Sequence, residues 1–402
     1  MRLGYLVPEF PGQTHIFFWR EVLALRAQGV DVRLISTRKP NPITCRHEFV
    51  PGAVAETHYL FPSALLAGPR WLLRGFRGFG ASMDYLGGLD SAGFKGRLRH
   101  YALLMSAVEL YRWCAREGIE HVHGHSCANA AHVLAICRRM GGPSYSLTLH
   151  GDLDVYGSDH RSKMRDASPV FAVGSHLRRQ ILEKVGIPAD RVHVTCMGVD
   201  SSRLSGLGTE RPYKAGDLNL LTVARLHPAK GHVHALAAAK RAVDRGVNLR
   251  YTIVGDGPHQ DAIGARIKEL GLESRVTLAG TRSEGDVLRL LSAADAFVLP
   301  STGAGEAWPV SLMEAMGSGL PVISSVIGAT PEMIENDVDG LLIAQGDEAG
   351  LADAFVRLGQ DVDARRRIGE RARLTTKQRF DVAVTAAKLR EAVESALQSR
   401  TP

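Results

Sequence analysis

The stretch Leu218-Asn-Leu-Leu-Thr-Val-Ala-Arg225-Leu-His-Pro-Ala-Lys230-Gly231 carries the pattern that decides the fold of this chain. Its first six residues form a short, mostly apolar run of the kind found in buried strands. A loop with two cations follows, and an Ala-rich amphipathic stretch after Gly231 predicts a helix over 232–245. A strand that leads through a short loop into a helix is half of a βαβ unit, so the stretch predicts a parallel sheet.

The first half of the chain repeats this alternation of apolar runs and amphipathic stretches with capping and glycine signals. The predicted strands are 3–7, 31–36, 119–123, 145–149, 169–173 and 191–195, and the predicted helices are 14–28, 128–140 and 175–184. Ser175 is the predicted N-cap of the last of these helices.

The second half follows the same scheme. The predicted strands are 218–223, 249–254, 275–278, 296–299, 321–324 and 341–343, and the predicted helices are 232–245, 258–270, 284–293, 309–317, 330–336, 348–358, 361–375 and 381–398. The polar segment Ser201–Asp217 between the halves predicts an interdomain linker. We therefore predict an α/β fold with two doubly wound, Rossmann-like domains that meet near residue 205. Their strand ends would face an interdomain cleft.

Composition excludes several classes of protein. The chain has 402 residues, with 45% hydrophobic and 23% charged residues, which is close to an average globular protein and unlike a disordered, collagen-like or coiled-coil chain. No apolar run reaches the ~18 residues of a membrane-spanning helix, and the apolar start is too short for a signal peptide. The five cysteines are scattered without metal-ligand spacing, so we expect a reducing, cytoplasmic location.

The positive charge lies in the first half. Residues 1–200 hold 24 Lys and Arg against 17 Asp and Glu, whereas residues 201–402 hold 25 of each kind. Such asymmetry predicts an acidic partner for the first half, and an anionic membrane, a phosphorylated ligand and nucleic acid are the candidates. The chain carries no sequence motif of a nucleic-acid-binding module, so we expect no nucleic-acid partner.

Residues 61–100 interrupt the alternation. They combine aromatic residues with six basic and only two acidic residues. One interpretation is a pair of amphipathic helices that lie on an anionic membrane surface, so that the protein is peripheral on the inner leaflet. The other is a helical insertion that packs on its own domain.

Several loops after predicted strands carry residues suited to an anionic ligand. Arg225 and Lys230 stand before a helix start, where two cations suit a diphosphate, although surface cations of an ordinary βα loop look the same. Gly255 belongs to Gly255-Asp256-Gly257, which allows close approach of a ligand but is more often a plain turn.

A pair of glutamates is the most specific of these signals. Glu306 lies on a loop, and Glu314 lies in the helix that Pro309 opens. The amides from Val310 onward lack helical acceptors and would attract an anion. One carboxylate can accept hydrogen bonds from two hydroxyl groups. Two carboxylates beside a phosphate site therefore suit a nucleotide sugar. The alternative is that Glu314 is an ordinary residue on the helix surface.

Histidines follow two strands of the first half. His150 stands after a predicted strand, where it would hydrogen-bond a substrate or titrate near neutral pH, or simply pack. His121, His123 and His125 alternate and so share one face of a strand. A metal there is conceivable, but no acidic or Cys partner stands at ligand spacing, so we predict no metal site.

Taken in order, these motifs resemble the family 4 glycosyltransferases of the GT-B fold. The likeness covers essentially the whole chain and is carried by Arg225, Lys230-Gly231, Gly255-Asp256-Gly257, Glu306-x7-Glu314, Gly319-Leu320-Pro321-Val322 and 336–342, with Met197-Gly198-Val199-Asp200 in the first half. Met197 departs from the Asn that the family has in this turn. The ordered set of motifs is far more specific than any one of them.

The resemblance implies the retaining transfer of a hexose-like sugar from a nucleotide diphosphate donor, with no obligatory metal and no cofactor. It also implies an acceptor-binding domain at 1–204, a donor-binding domain at 205–380 and a final helix at 381–402 that crosses back to the first domain. The leaving phosphate would help to deprotonate the acceptor, so no protein nucleophile is expected.

The resemblance assigns roles to the site residues by position. Arg225 and Lys230 would hold the diphosphate and stabilise its departing charge. Glu306 would bind hydroxyls of the donor sugar, and Glu314 would bind the ribose. His150 would contact the sugar near the anomeric carbon.

Two further segments would complete the donor site. The backbone at Gly280–Arg282 would frame the base, and the amide of Gly12 would face the diphosphate. The loop around Gly12 lacks the Gly-Gly form of many members and is closer to a subgroup associated with bacterial exopolysaccharide assembly.

The basic, aromatic segment 61–100 suggests that the acceptor of such a transferase is lipid-linked or a glycolipid. The alternatives are a transferase with a small soluble acceptor, or an epimerase or hydrolase of UDP-sugars on the same scaffold. A dehydrogenase is disfavoured because Pro8-Glu9-Phe10-Pro11-Gly12, and no G-x-G-x-x-G motif, follows the first strand.

Overall fold

The structure is a computed structural model that describes residues 1–40, 45, 47–62, 78–90, 93–208, 211–303 and 307–399. Contacts divide the chain into two compact units. Unit 1 is Met1–Cys196 with Thr385–Pro402, and unit 2 is Met197–Val384. Each unit contains one parallel sheet with helices, which confirms the predicted α/β class. The functional boundaries at 204/205 and 380/381 stay predictions.

The sheet of unit 1 has seven strands. They are β1 (Arg2–Glu9), β2 (Asp31–Arg38), β3 (His58–Tyr59), β4 (His121–Gly124), β5 (Ser144–Leu149), β6 (Val170–Val173) and β7 (Val192–Thr195). The order is β3-β2-β1-β4-β5-β6-β7, and neighbouring strands are parallel throughout. The short strand β3 was not predicted, because two residues are too few to give a hydrophobic period.

The helices of unit 1 include both long and short segments. They are α1 (Ile16–Ala27), α2 (Val50–Glu56), α3 (Phe79–Gly87), α4 (Gly93–Glu117), α5 (Asn129–Arg139), α6 (His160–Met164) and α7 (Ser175–Gln180). Helix α3 and the start of α4 belong to the interruption at 61–100, of which residues 63–77, 91 and 92 lie outside the described part of the chain.

The core of unit 1 combines residues that are far apart in the sequence. Alternate residues of β1 face the same side of the strand, whereas the helices contribute residues spaced by three or four. One cluster contains Leu3, Tyr5 and Val7 of β1, Phe18, Val22 and Leu25 of α1, and Ala386, Leu389 and Val393 of the last helix. The end of the chain therefore packs against the first strand.

The sheet of unit 2 has six strands. They are β8 (Asp217–Val223), β9 (Asn248–Val254), β10 (Val276–Gly280), β11 (Ala296–Leu299), β12 (Val322–Ser325) and β13 (Leu341–Ile343), in the order β10-β9-β8-β11-β12-β13. The helices are α8 (Ser201–Ser205), α9 (His232–Asp244), α10 (Gln260–Glu269), α11 (Glu284–Ala293), α12 (Val310–Gly317), α13 (Thr330–Met333), α14 (Glu348–Gln360) and α15 (Val362–Thr375). The last helix, α16 (Val382–Gln398), begins in unit 2 and belongs to unit 1 from Thr385 onward.

Two local predictions were wrong. The N-cap of α7 is Gly174 rather than Ser175, because a positive φ of 99° turns the chain out of β6 at this residue. Ser201–Asp217 is not a free linker. Asp200 accepts a hydrogen bond from the Arg203 amide and so starts α8, and Arg211 donates to three backbone carbonyls of unit 2. These side-chain bonds fix a segment whose composition alone suggests a loop.

Among the described residues, no helix has the length and apolar character needed to cross a bilayer.

Candidate functional site

The strand order of unit 1 indicates where a ligand would bind. In open α/β sheets, ligands bind at the carboxyl ends of the strands, where the order of the strands reverses. That position lies between β1 and β4, which are neighbours although more than a hundred residues separate them in the sequence. The loops after β1, β4 and β5 carry Gly12, His125 and His150, respectively.

The Gly12 loop is a tight turn covered by an imidazole. The amide of His15 donates to the carbonyl of Gly12 over 2.9 Å. A Cβ atom at Gly12 would come within 2.8 Å of Nδ1 of His15, so the imidazole leaves no room for a side chain there. A side chain at position 12 would therefore displace the imidazole of His15, and the predicted contact of the Gly12 amide with a diphosphate stays a prediction.

His150 lies directly after β5 in a packed setting. Its amide donates to the hydroxyl of Tyr156 over 2.7 Å, which fixes the backbone at this residue. Its Nε2 lies 3.1 Å from Nδ1 of His125, and the ring of Phe18 packs edge-on against it. The structure thus brings the predicted His150 together with a histidine from the neighbouring strand end.

The other two histidines of the alternating run lie deeper in the sheet. Both ring nitrogens of His121 contact serine hydroxyls, those of Ser144 at 2.7 Å and Ser146 at 2.8 Å. His123 contacts Ser146 at 2.7 Å and Thr148 at 3.0 Å. These imidazoles saturate their hydrogen bonds with hydroxyls of the adjacent strand. In the part of the chain that the structure describes, no group of three His, Cys, Asp or Glu side chains is arranged to hold a metal.

Burial keeps the histidines at this edge neutral. Desolvation lowers the pKa of His15 to about 4, and it lowers the pKa of both His125 and His150 to about 3. A buried imidazolium loses its hydration, so the neutral form is favoured. At physiological pH these side chains therefore act as uncharged hydrogen-bonding groups.

In unit 2 the strand order reverses between β8 and β11. Arg225 follows β8 and is exposed, and its guanidinium makes no hydrogen bond or ion pair to any described residue. Its backbone is fixed, because its carbonyl lies 3.1 Å from Nε2 of His232. Lys230 ends the short helical turn Pro228–Lys230 of the same loop and is half-buried. The loop therefore combines a backbone fixed by hydrogen bonds with the exposed positive charge of Arg225.

The turn at Lys230 is held against the end of β11. Gly231 has a φ of 67°, and a Cβ atom there would lie 1.8 Å from the carbonyl oxygen of Pro300. The amide of Thr302 donates to the carbonyl of Ala229 over 2.9 Å. Two loops from neighbouring strands are therefore in direct backbone contact at this position.

Gly255 joins a third loop to this assembly. A Cβ atom at Gly255 would lie 1.9 Å from the carbonyl oxygen of Ala224, and its amide donates to the carbonyl of Gly280 over 3.1 Å. A Cβ atom at Gly257 would lie 2.4 Å from the carbonyl oxygen of Leu226. The Gly-Asp-Gly motif thus has a packing reason, which agrees with the plainer of the two interpretations, and its contact with a ligand stays a prediction.

The loop after β10 leads into α11. Gly280 has a φ of 66° and so turns the chain at the end of the strand. Arg282 is exposed, and Ser283 forms a capping box with Asp286 at the start of the helix. The backbone at Gly280–Arg282 therefore lies at the ligand-binding edge, as its predicted role requires.

Helix α12 presents free amides beside this edge. Pro309 is its N-cap, and the carbonyl of Pro309 already accepts from the amides of Leu312 and Met313. The amides of Val310 and Ser311 have no hydrogen-bond acceptor among the described residues. Such orphan amides, with the positive end of the helix dipole, attract anions.

The two predicted glutamates differ in what the structure shows of them. Glu314 lies on α12 and is half-buried. Glu306 lies outside the described residues. The roles of both in binding hydroxyls stay predictions.

Sequence reasoning missed three residues of the unit 1 site. His15 covers Gly12, whereas Glu21 and His125 form a chain of contacts with His150. One signal was available: the alternation His121-x-His123-x-His125 has a counterpart in Ser144-x-Ser146-x-Thr148. Two such strands side by side predict imidazole–hydroxyl pairs instead of a metal site.

Comparison with known families matches both halves of the chain. The family described as "Glycosyltransferase Family 4" matches residues 16–203, and the family described as "Glycosyl transferases group 1" matches residues 211–375.

Relatives match over most of the length. A protein of Salmonella typhimurium named as the colanic acid biosynthesis glycosyltransferase WcaL is 33% identical over 95% of this chain and 96% of its own. The amylovoran biosynthesis glycosyltransferase AmsK of Erwinia amylovora is 29% identical over 90% and 91%. A galactosyltransferase of Escherichia coli, named for action on GlcNAc-diphosphoundecaprenol, is 27% identical over 64% and 71%.

A solved structure shares the fold. The HepE protein of Anabaena, crystallised with UDP and glucose, superposes with a TM-score of 0.71 over 98% of this chain and 100% of its own, at 19% identity. The two parallel-sheet domains and this likeness confirm the expected GT-B type of fold. Together with the identity to WcaL over nearly the whole length, they show that the chain is a glycosyltransferase and belongs to family 4, with the group 1 domain in its second half.

Proposed function

We propose that this protein transfers a hexose-like sugar from a nucleotide diphosphate donor to a lipid-linked or glycolipid acceptor in bacterial exopolysaccharide synthesis. The transfer retains the anomeric configuration and needs no obligatory metal. The observation that carries the proposal lies at the ligand-binding edge of unit 2. There the loop after β8 offers the exposed cation of Arg225, and the helix after the neighbouring β11 offers the amides of Val310 and Ser311, and none of these groups has a partner within the described ranges.

This arrangement suits a departing diphosphate. In the reaction the bond between the anomeric carbon and the phosphate oxygen breaks, and the acceptor oxygen bonds to the same carbon from the same face. The acceptor proton passes to the leaving phosphate. Arg225, Lys230 and the amides of α12 would stabilise the negative charge that develops there, without reorganising during the reaction. The chemistry therefore requires no nucleophile from the protein.

The other site residues would bind the rest of the donor. Glu314 would accept hydrogen bonds from hydroxyls of the ribose, and Glu306 would accept hydrogen bonds from hydroxyls of the donor sugar. The backbone at Gly280–Arg282 would frame the base. In unit 1, the Gly12 amide would approach the diphosphate and His150 would contact the sugar.

The relatives support the choice of donor and acceptor. Two of them are named for the biosynthesis of colanic acid and of amylovoran, a third for galactosyl transfer to a diphosphoundecaprenol, and HepE binds UDP with glucose. The galactosyltransferase name supports a UDP-sugar donor and a lipid-linked acceptor, the HepE complex supports a UDP-linked donor, and the other two names support a role in exopolysaccharide synthesis.

The surface of unit 1 supports a membrane-bound acceptor. Phe79 and Met83 lie one turn apart on α3, with 46% and 41% of their side chains exposed. Leu98 and Tyr101 lie one turn apart on α4, with 59% and 41% exposed, and exposed basic residues lie close by in the sequence. Exposed apolar side chains beside cations favour binding to an anionic bilayer surface. The five free cysteines fit a reducing compartment, so we place the protein on the cytoplasmic leaflet.

The donor is tested by a thermal-shift screen with UDP-, GDP- and ADP-sugars, because a ligand that binds only the folded protein raises its melting temperature. We expect one nucleotide series to stabilise the protein and Arg225→Ala to abolish that shift. Incubation of the donor without acceptor is the control. An epimerised donor or free sugar at the rate of transfer would contradict the proposal.

The membrane surface is tested by sedimentation with vesicles of neutral phospholipid and of neutral plus anionic phospholipid. We expect binding to the anionic vesicles at low salt, and weaker binding for Phe79→Ser combined with Met83→Ser. The matched control is Leu374→Ser, an equally exposed apolar residue in unit 2. Equal sedimentation of the wild type with and without anionic vesicles would refute this part of the proposal.

A further inference from the structure

A chain of contacts leads from the interior of unit 1 to His150. The hydroxyl of Tyr5 donates to Oε2 of Glu21 over 2.5 Å. The same oxygen lies 3.2 Å from Nε2 of His125, and Nδ1 of His125 lies 3.1 Å from Nε2 of His150. These four residues come from β1, α1 and the loops after β4 and β5, so only the folded unit brings them together.

The positions of the protons in this chain follow from the carboxylate. Nε2 of His125 lies within ion-pair distance of Glu21, although the angle does not make this contact a hydrogen bond. Because the negative charge of an ionised carboxylate attracts a proton and the carboxylate has none to donate, the imidazole nitrogen nearest to it is the one that carries a proton. In a neutral His125 the proton is then on Nε2, and Nδ1 is an acceptor. Nε2 of His150 must therefore donate to Nδ1 of His125, which leaves Nδ1 of His150 without a proton.

The surroundings keep both imidazoles neutral and in place. Burial holds the pKa of each at about 3, so neither carries a second proton at physiological pH. The two rings are nearly parallel, with a centroid distance of 5.3 Å, and Phe18 packs against both of them. Their geometry is thus fixed by packing as well as by hydrogen bonds.

His150 ends this chain with one unused acceptor. Its Nδ1 is buried and has no hydrogen-bond partner among the residues that the structure describes. By contrast, both nitrogens of His121 and of His123, which lie deeper in the same sheet, have hydroxyl partners. An unsatisfied buried acceptor at a ligand-binding edge is a place where a ligand donor would bind.

We propose that Glu21 and His125 are positioning residues that hold His150 as the tautomer with its proton on Nε2, so that Nδ1 accepts a hydrogen bond from a hydroxyl of the donor sugar. This inference rests on the proposed function for the identity of the ligand. The tautomer itself is a property of the free protein. His150 is thereby assigned as an acceptor rather than as an acid or a cation, which favours a sugar that presents a hydroxyl over one that lacks it.

The competing interpretation is that Glu21 and His125 only satisfy one another inside unit 1. Under that interpretation, changing Glu21 would alter stability but would leave the tautomer of His150 and the donor kinetics alone. The two interpretations are separated by an experiment that reads the proton position directly.

The experiment records long-range proton–nitrogen correlation spectra of the full chain with ¹⁵N-labelled histidine. The His150 signals are assigned by their loss in His150→Gln. We expect the wild-type protein to show the Nε2-protonated form of His150. A wild-type spectrum with the proton on Nδ1 would overturn the proposal without any variant being needed.

Variants of Glu21 then test the role of the carboxylate. Glu21→Met keeps the length of the side chain but removes the acceptor, so we expect a mixture of tautomers and a fall in kcat/KM for the donor of about 10- to 100-fold. Glu21→Gln retains a carbonyl acceptor and should recover most of both properties. An unchanged tautomer and unchanged kinetics in Glu21→Met would overturn the positioning role.

His121→Gln is the matched control. It changes another buried imidazole of the same sheet, four residues before His125 in the sequence, and is expected to lower stability while the tautomer of His150 stays unchanged. The outcome separates the two proposals. If the tautomer is as expected and depends on Glu21, but no nucleotide sugar is used as a donor, the proposed function fails and the positioning role of Glu21 stands.

Discussion

The ligand-binding edges of the two units are built by different means. In unit 2, backbone groups of neighbouring loops touch one another at Gly231, Gly255 and Gly257, and the exposed cation of Arg225 projects from this support. In unit 1, side chains form the support: imidazoles, a carboxylate and a phenol are linked in the interior and end at His150.

The difference follows from what each edge holds. A cation retains its charge on an exposed loop, and a rigid backbone is enough to direct it at a diphosphate. A neutral imidazole has one donor and one acceptor, so its use depends on which nitrogen carries the proton. Such a side chain needs a second residue to fix the proton, and therefore a network.

The strongest test of this comparison removes the positive charge of Arg225 from the ligand-binding edge of unit 2. Arg225→Ala should lower kcat/KM for transfer by about 100- to 1000-fold, the loss typical of removing one electrostatic stabiliser of a departing charge. Arg225→Lys should restore part of this activity, because the charge returns without the planar fork.

Arg250→Ala, which removes an exposed arginine on β9, is the control for this measurement. If Arg225→Ala and Arg250→Ala turn over the donor at the same rate, the edge of unit 2 does not act through its charge.

A second test concerns the backbone support of unit 2. An alanine at Gly231 would place its Cβ 1.8 Å from the carbonyl oxygen of Pro300, in addition to adopting a left-handed φ of 67°. We expect Gly231→Ala to lower the free energy of unfolding of this unit by about 2–4 kcal/mol. The measurement is the shift of the denaturation midpoint in urea.

Gly246→Ala separates the clash from the backbone strain. Gly246 also has a positive φ, of 90°, but nothing lies within 4 Å of a Cβ atom there, so about 1 kcal/mol is expected. Equal losses for the two variants would show that contact between the loops does not contribute.

A third test concerns the neutral imidazoles of unit 1 and is read as a slope, the change in unfolding free energy per pH unit. Burial lowers the pKa of folded His150 from 6.5 to about 3, so below pH 6.5 the unfolded chain takes up a proton that the folded protein does not. The contribution of His150 to the free energy of unfolding is therefore fully present above pH 6.5. It is lost as the pH falls towards 3, by at most about 1.4 kcal/mol per pH unit.

His150→Gln should flatten the acid side of a plot of unfolding free energy against pH by this amount, whereas His227→Gln, at an exposed histidine, should not. An identical slope in the wild type and in His150→Gln would mean that His150 is not held neutral by burial.

Much of the fold was predictable because its elements are local. Strands such as β8 and β11 and helices such as α9 and α11 follow from runs of apolar residues and their period, and most of their ends lie within two residues of the predicted ones. The two errors have different causes, a tertiary contact at Arg211 and a local positive φ at Gly174. Arg211 bonds to distant carbonyls and so orders a segment predicted as a linker, and Gly174 takes the cap position predicted for Ser175.

The candidate site divides in the same way. Arg225, Lys230 and Glu314 could be predicted as site residues because charges in the loops and helices that follow strands form a motif that is visible in the sequence. Glu21 and His125 were not found as partners of His150, because more than a hundred residues separate Glu21 from the histidines it supports. Their meeting depends on β1 and β4 being neighbours in the sheet.

The sequence by itself therefore determined the α/β class, the two parallel sheets, the position of the charged residues at strand ends and the resemblance to family 4 glycosyltransferases. These follow from local periodicity and from residue types in order along the chain. Only the tertiary structure decided that the Gly-Asp-Gly motif packs loops together, that the alternating histidines bond to hydroxyls, and that Glu21 and His125 lead to His150. The physical reason is that hydrogen bonds and close backbone contacts depend on distances between remote residues, which the order of the strands sets.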